Sequence, residues 1–185
     1  WSLNMHCQPL ALPGLMLFTP SRYADERGFF LETFRQQDFV EHCGAYQLVQ
    51  DNLSRSSQGV LRGLHYQWQR PQGKLIRVNS GEVFDVVVDL RRNSPTFGKW
   101  LGLYLHADQH QQLWVPPGFA HGFYVCSSAA EVQYKCTDYY APAHERCVRW
   151  DDPDLGIAWP LVAGQAPSVS HKDAAGAAFA SAEYY

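Results

Sequence analysis

The run Gly59-Val60-Leu61-Arg62-Gly63-Leu64-His65-Tyr66-Gln67 interleaves apolar and polar side chains between glycines, the pattern of a short strand. Arg62 and His65 ride on that strand. Gln72-Gly73-Lys74 follows and sets a second cation at the head of another apolar run. An imidazole titrates near neutral pH, and fixed cations hold developing negative charge. Together these groups are equipped to take a proton from a carbon acid and to keep the resulting anion.

Further polar groups lie elsewhere. His121 stands in Pro116-Pro117-Gly118-Phe119-Ala120-His121-Gly122-Phe123, where a tight turn feeds a strand. It reads as a polar contact or an oxyanion donor. Two histidines invite a metal reading. Tyr66 and Gln67 follow His65, however, so the His-x-His pair that jelly-roll metal sites favour is missing, and no metal is expected. Tyr134 and Lys135 are neighbours on an expected strand, so only one of them points inward. The tyrosine has a proton to give and an apolar ring that suits an interior. Tyr139-Tyr140 offers a platform for a flat ring or cover for a sheet edge. Arg27 and Glu32 flank Phe29-Phe30 and form either a surface ion pair or, through Arg27, a phosphate clamp. Gln50-Asp51-Asn52 lines a groove or makes a turn. Spacing alone gives no reason to join Asp173, of Lys172-Asp173, to His65.

These residues need a rigid frame, and the chain supplies strand patterns for one. Val83 to Leu90 is an apolar run interrupted by Asp85 and Asp89. Phe97 to Leu105, Gln112 to Val115, Phe123 to Cys126 and Glu131 to Thr137 continue the series. Residues 36–43 are the best short-helix candidate, with Gly44 as its C-cap. Short strands punctuated by Gly and Pro turns predict a sandwich or jelly roll with few helices. The chain reads as one domain over residues 1–185, with the first few residues and the Ala-rich segment from Asp173 to Tyr185 peripheral. That last segment is either a short helix or a disordered tail.

With 185 residues, 46% hydrophobic and 14% aromatic, the chain is long enough for a sizeable core. A net charge of −3 argues against nucleic acid or an anionic membrane as the main partner. Five cysteines without a C-x-x-C pair fit reduced thiols in a cytoplasmic protein, and no apolar run has transmembrane length.

The ordered set of segments resembles the dTDP-4-dehydrorhamnose 3,5-epimerase family. It comprises Asp25-Glu26-Arg27-Gly28-Phe29-Phe30 with Glu32, Gln50-Asp51-Asn52, Gly59 to Gln67, Gln72-Gly73-Lys74-Leu75, Gly81 to Val86 and Ser94 to Gly98. It continues through Pro117 to Phe123, Tyr134 to Thr137, Tyr139-Tyr140 and Trp150-Asp151-Asp152-Pro153. The resemblance implies an all-β, cupin-like jelly-roll barrel without metal or other cofactor, working as a homodimer with strands that cross between subunits. It implies an isomerase that epimerises dTDP-4-dehydro-6-deoxy-D-glucose at C3 and C5. His65 would be the base, Tyr134 the acid on the opposite face, Asp173 the partner of His65, and Lys74 the stabiliser of the enolate. Arg27, Glu32, Gln50, Asn52, Arg62, His121, Glu145 and Lys172 would line the nucleotide-sugar groove, with Phe30 and Tyr140 against the thymine. The segment Trp68-Gln69-Arg70-Pro71 is short for the pattern, and the Ala-rich tail matches nothing in it. Rival readings are an epimerase acting at C3 alone, a sugar 3,4-ketoisomerase, a non-catalytic nucleotide-sugar binding module and a metal-dependent oxygenase of the same fold.

Overall fold

Alternating inward and outward side chains, with the second sheet buried on both faces, build two antiparallel sheets that face each other in the computed structural model, which describes residues 5–185. The first four positions, part of the expected peripheral start, lie outside the described residues. The strands are β1 (Met5–Pro9), β2 (Met16–Pro20), β3 (Arg22–Asp25), β4 (Gly28–Leu31), β5 (Gln50–Ser57), β6 (Leu61–Gln67) and β7 (Lys74–Ser80). They continue as β8 (Glu82–Asp89), β9 (Trp100–His106), β10 (Gln112–Val115), β11 (Phe119–Val125), β12 (Ala129–Cys136) and β13 (Glu145–Cys147). Two short α-helices are described, α1 (Gln36–Cys43) and α2 (His171–Ala174).

One sheet runs in the order β1-β2-β10-β7-β12-β5 and the other β13-β6-β11-β8-β9. Strands β3 and β4 stand apart as a hairpin. The jelly roll is therefore an open sandwich, and its strands do not close into one continuous barrel. Leu17, Ile76, Val78 and Leu113 of the first sheet meet Val83, Val87, Leu105 and Phe123 of the second between the layers. Each such side chain contributes about 1.5–3 kcal/mol on burial.

The outer face of the second sheet is covered and that of the first only in part, with Leu53 left 63% exposed. Helix α1 lays Phe39 on Phe18, Leu75 and Trp114. The Phe39 and Trp114 rings meet edge to face, 4.8 Å between centroids. The helix ends, as its sequence predicts, at Gly44, whose φ of 100° suits glycine. On the second sheet, Leu64, Tyr66, Phe84, Val86 and Val88 are covered by Trp159, Phe179, Tyr184 and Tyr185. The Ala-rich segment is thus an ordered strap. The Arg92 N–H donates to the Tyr185 carbonyl (3.0 Å), the Tyr185 N–H to Leu90 (3.2 Å), and the Tyr66 hydroxyl to the Glu183 carbonyl (2.7 Å). Its aromatic anchors follow no helical or strand period, which hides them among alanines in the sequence.

The strand expected from Phe97 begins only at Trp100. The Ser94 and Thr96 hydroxyls both donate to the buried Asp89 carboxylate, and that tie curls the chain before Trp100. Conversely, the strand expected from Phe123 already starts at Phe119.

Candidate active site

Arg62 and His65 are three positions apart, and simple alternation would send them to opposite faces. Strand β6 avoids this with a bulge. His65 lies opposite His121 and Arg62 opposite Phe123, so β6 carries one residue more than β11 over the same span. Gly63 fits the bulge because its φ is 129° and a Cβ there would come within 2.5 Å of the Gly122 Cα. Both cation and imidazole are thereby returned to the inner face.

His65 is held from behind. Its Nε2 donates to Asp173 Oδ1 at 2.7 Å, and Asp173 Oδ2 accepts the Gly63 N–H at 3.2 Å. The aspartate sits in α2, whose N-cap Ser170 accepts the Asp173 N–H through Oγ at 3.1 Å. Short bridges pair Ser168 with Val60 and Ala177 with Val148, tying this segment to the sheet on either side of α2. Burial alone would raise the Asp173 carboxyl. The bond and charge of His65, with the Gly63 and Ser170 bonds, outweigh it and hold the group below its ordinary 3.8. An ionised carboxylate accepts, so the imidazole proton is fixed on Nε2 and Nδ1 is the basic nitrogen.

His65, Lys74 and Tyr134 line one cavity of about 170 Å³, together with Gln50, Asn52, Gln72, Tyr140 and Glu145. Lys74 points inward from the start of β7, its Nζ 5.7 Å from the centroid of the Tyr134 ring. Burial depresses the Lys74 ammonium, partly countered by the charges of Cys136, Asp85 and Glu145. Burial also raises the Tyr134 phenol, which stays protonated at neutral pH. The neighbouring Lys135 turns outward to Asp51 at 2.9 Å, as strand alternation predicts.

The remaining expected residues are placed as follows. His121, opposite His65 in the β11–β6 register, is buried and bonds Asp85 Oδ2 through Nε2 at 2.8 Å; it does not line the cavity. Arg62 donates from Nε to Ser56 Oγ at 3.0 Å, and its charge is felt at Tyr134. The Tyr140 hydroxyl donates to Glu145 Oε2 at 2.5 Å, and Lys172 forms an ion pair with the same carboxylate. Burial would raise Glu145, but the Lys172 and Tyr140 bonds and the nearby positive charges hold it below its ordinary value.

Arg27, Phe30 and Glu32 are not brought to this cavity. Arg27 and Phe30 belong to the β3–β4 hairpin, where Phe29 is 53% and Phe30 64% exposed. The surface pair between Arg27 and Glu32 does not form. Arg27 pairs with Asp25 at 2.5 Å and Glu32 with Arg35 at 2.9 Å. A larger hollow of about 850 Å³ lies against the hairpin, yet no histidine or lysine lines it. The smaller cavity is the candidate site because an imidazole, an ammonium and a phenol converge there.

Several residues escaped the sequence reading. Gln67 donates to the Arg70 carbonyl (2.8 Å) and accepts the Ala141 N–H (2.7 Å), which fixes the loop carrying Tyr140. Asp85 is fully buried, with Oδ1 unpartnered among the described residues. Its signal was an acid inside an apolar run. Cys147 lies opposite His65 in the β13–β6 register and donates to the Gly63 carbonyl at 3.5 Å. Burial first, then the Asp173 carboxylate, push its thiol up to about 12.

Comparison with known proteins follows the same lines. The family model for dTDP-4-dehydrorhamnose 3,5-epimerase matches residues 9–181. A dTDP-4-dehydrorhamnose 3,5-epimerase from Pseudomonas aeruginosa is 55% identical over 182 residues, covering 98% of this chain and 99% of that protein. Among solved structures, a dTDP-6-deoxy-D-glucose-3,5-epimerase from Legionella pneumophila in complex with dTDP-4-keto-L-rhamnose is 50% identical. It superposes with a TM-score of 0.89 over 94% of this chain and 92% of that one. The dTDP-4-dehydrorhamnose 3,5-epimerase of Elizabethkingia anophelis is 42% identical, with a TM-score of 0.92 over 97% and 99% of the two chains.

Proposed function

This chain belongs to the dTDP-4-dehydrorhamnose 3,5-epimerase family, and from that membership we propose that it converts dTDP-4-dehydro-6-deoxy-D-glucose to dTDP-4-dehydro-L-rhamnose by inverting C3 and C5. It is an isomerase. The observation that carries the residue roles is the convergence of His65, Lys74 and Tyr134 on one cavity, with Asp173 behind the imidazole.

The ketone at C4 acidifies the C–H bonds on either side of it. Nδ1 of His65 removes such a proton, and Asp173 stabilises the imidazolium that forms. General base catalysis of this kind contributes about 10²–10⁴-fold. Negative charge moves to the C4 oxygen, where the enclosed ammonium of Lys74 meets it, a donor worth about 3–4 kcal/mol. Tyr134 returns a proton to the opposite face of the carbon and inverts it. No carbon changes oxidation state overall, so the scheme requires no hydride carrier. The nucleotide extends past Gln50, Asn52, Tyr140 and Glu145, with Lys172 and Arg62 supplying positive charge.

Arg27, Phe30 and Glu32 enter this scheme through a second copy. An exposed pair of phenylalanines on a detached hairpin supports a homodimer in which each hairpin reaches the other subunit's groove. Light scattering at working concentration tests it, and a monomer would refute it.

Incubation with substrate in heavy water tests the reaction. Deuterium is expected at C3 and C5 by NMR of the sugar. Label at C3 alone would replace the assignment with a C3 epimerase, and no label would reject proton abstraction.

A further inference from the structure

At His65, two ligand types from outside the cavity lining, a thiol and a carboxylate, come together with the imidazole. One ligand atom each of His65, Cys147 and Asp173 lies within 4.8 Å of the others, the one such group of three among the described residues. They come from three elements, β6, β13 and α2, which the bulge residue Gly63 draws together. Cys147 is set by the β13–β6 register and its bond to the Gly63 carbonyl, and Asp173 by Gly63 and Ser170. We propose that these residues form an inhibitory site for a borderline-soft divalent cation, Zn²⁺ by its chemistry, which switches the enzyme off by taking the base out of service.

The donor set is one imidazole nitrogen, one sulfur and one carboxylate oxygen, the mixture zinc accepts and magnesium does not. Zinc bond lengths of about 2.0–2.3 Å set tetrahedral ligand spacings of roughly 3.3–3.7 Å. The His65–Asp173 contact of 2.7 Å opens and the spacings to Cys147, none above 4.8 Å, close toward that range. Three protein ligands leave a fourth position for water. Zn²⁺ with one thiolate, one carboxylate and a neutral imidazole sums to zero charge, which suits a site whose aspartate is buried. On binding, the Cys147 thiol proton leaves to solvent. The Nε2 proton gives way to the metal and the imidazole carries its hydrogen on Nδ1, so the nitrogen that abstracts the substrate proton is filled. Cys147 has no part in the proton transfers, so its presence beside the dyad is otherwise unexplained by the reaction.

The loss of turnover rests on the assignment of His65 as base; the binding itself does not. The experiment therefore reads both. Chelator-treated wild type and Cys147→Ala are titrated with Zn²⁺ while turnover is followed, and with Co²⁺ while thiolate-to-cobalt charge-transfer absorption is recorded. Wild type is expected to lose turnover reversibly, with full recovery on adding chelator, and to show the absorption band. Cys147→Ala is expected to turn over normally without metal, to lack the band, and to need at least ~10-fold more zinc for the same inhibition, no less than the loss of an outer-shell partner costs. Cys147→Ser serves if the alanine variant fails to fold. Equal zinc sensitivity in wild type and variant, absence of the band in wild type, or a band without loss of turnover would each overturn the proposal. Failure of metal-free wild type to exchange solvent deuterium would instead reject His65 as base, while leaving the cobalt band unchanged.

Discussion

Replacing Asp173 by Asn should be worse than replacing it by Ala. The carboxylate accepts twice, from His65 Nε2 at 2.7 Å and from the Gly63 N–H at 3.2 Å. An amide has one acceptor and one donor end. If its oxygen faces His65, its NH₂ meets the Gly63 N–H, a donor-to-donor contact costing about 1–3 kcal/mol. If its oxygen faces Gly63, its NH₂ donates to Nε2 and forces the imidazole hydrogen onto Nδ1, the nitrogen that must act as base. The second arrangement is the cheaper one, so Asp173→Asn locks the wrong tautomer. Loss of the base step predicts a fall in kcat of about 10²–10⁴-fold, or roughly 3–5.5 kcal/mol of barrier, with KM little changed. Asp173→Ala imposes no tautomer and should retain more activity than Asn while losing more stability, because Gly63 is left unpaired. Steady-state kinetics with NMR detection of deuterium entry, beside thermal melts of both variants, make the comparison. An Asn variant keeping more than about a tenth of wild-type kcat, or an Ala variant less active than Asn, would refute the tautomer argument.

Other outcomes follow from the same geometry. Tyr134→Phe should still admit deuterium from solvent but return it to the original face, so exchange survives while inverted product falls by about 10²-fold or more, as read by NMR. Because burial depresses the Lys74 ammonium, the alkaline limb of the kcat profile should fall at a pH below the ordinary lysine value of 10.5. Rising pH removes the cation that holds the enolate, and a limb at or above that value would count against Lys74. Asp173 is held below its ordinary 3.8, so its contribution to stability is complete above that value and is lost as pH falls through the lower folded value. The stability gap between wild type and Asp173→Asn, measured by urea melts, should therefore narrow in strong acid. Gly176→Ala would place a Cβ within 2.8 Å of the Arg149 backbone nitrogen and push the α2 segment off the sheet. A destabilisation of about 1–3 kcal/mol is expected with a disproportionate loss of kcat, measured by melts and kinetics.

The sandwich was legible because its strands alternate in the sequence, and because inward polar residues such as Tyr134 and Lys74 share that alternation with the core. Helix α1 was legible from its apolar spacing and Gly44. The pairing of Asp173 with His65 was not, since the two are 108 positions apart and only the family resemblance joined them. The bulge at Gly63 was equally silent: a glycine inside a strand signals a bulge but not which neighbours it realigns. Asp85 announced itself as a charge in an apolar run, yet its partner His121 lies on another strand, and pairing across strands is set by register rather than by local sequence. The hairpin residues Arg27 and Phe30 stood in a recognisable motif, but a motif carries no information about where a detached hairpin sits relative to the cavity.

The strap over the second sheet gives the enzyme a form of quality control. The segment that seats Phe179, Tyr184 and Tyr185 follows directly on the stretch that carries Asp173, and the bridge between Val148 and Ala177 ties their junction to the sheet. Opening of this segment would remove no strand from either sheet, yet it would withdraw the Asp173 carboxylate from His65. On the proposed mechanism, turnover would therefore fall at a local opening that leaves the sandwich folded.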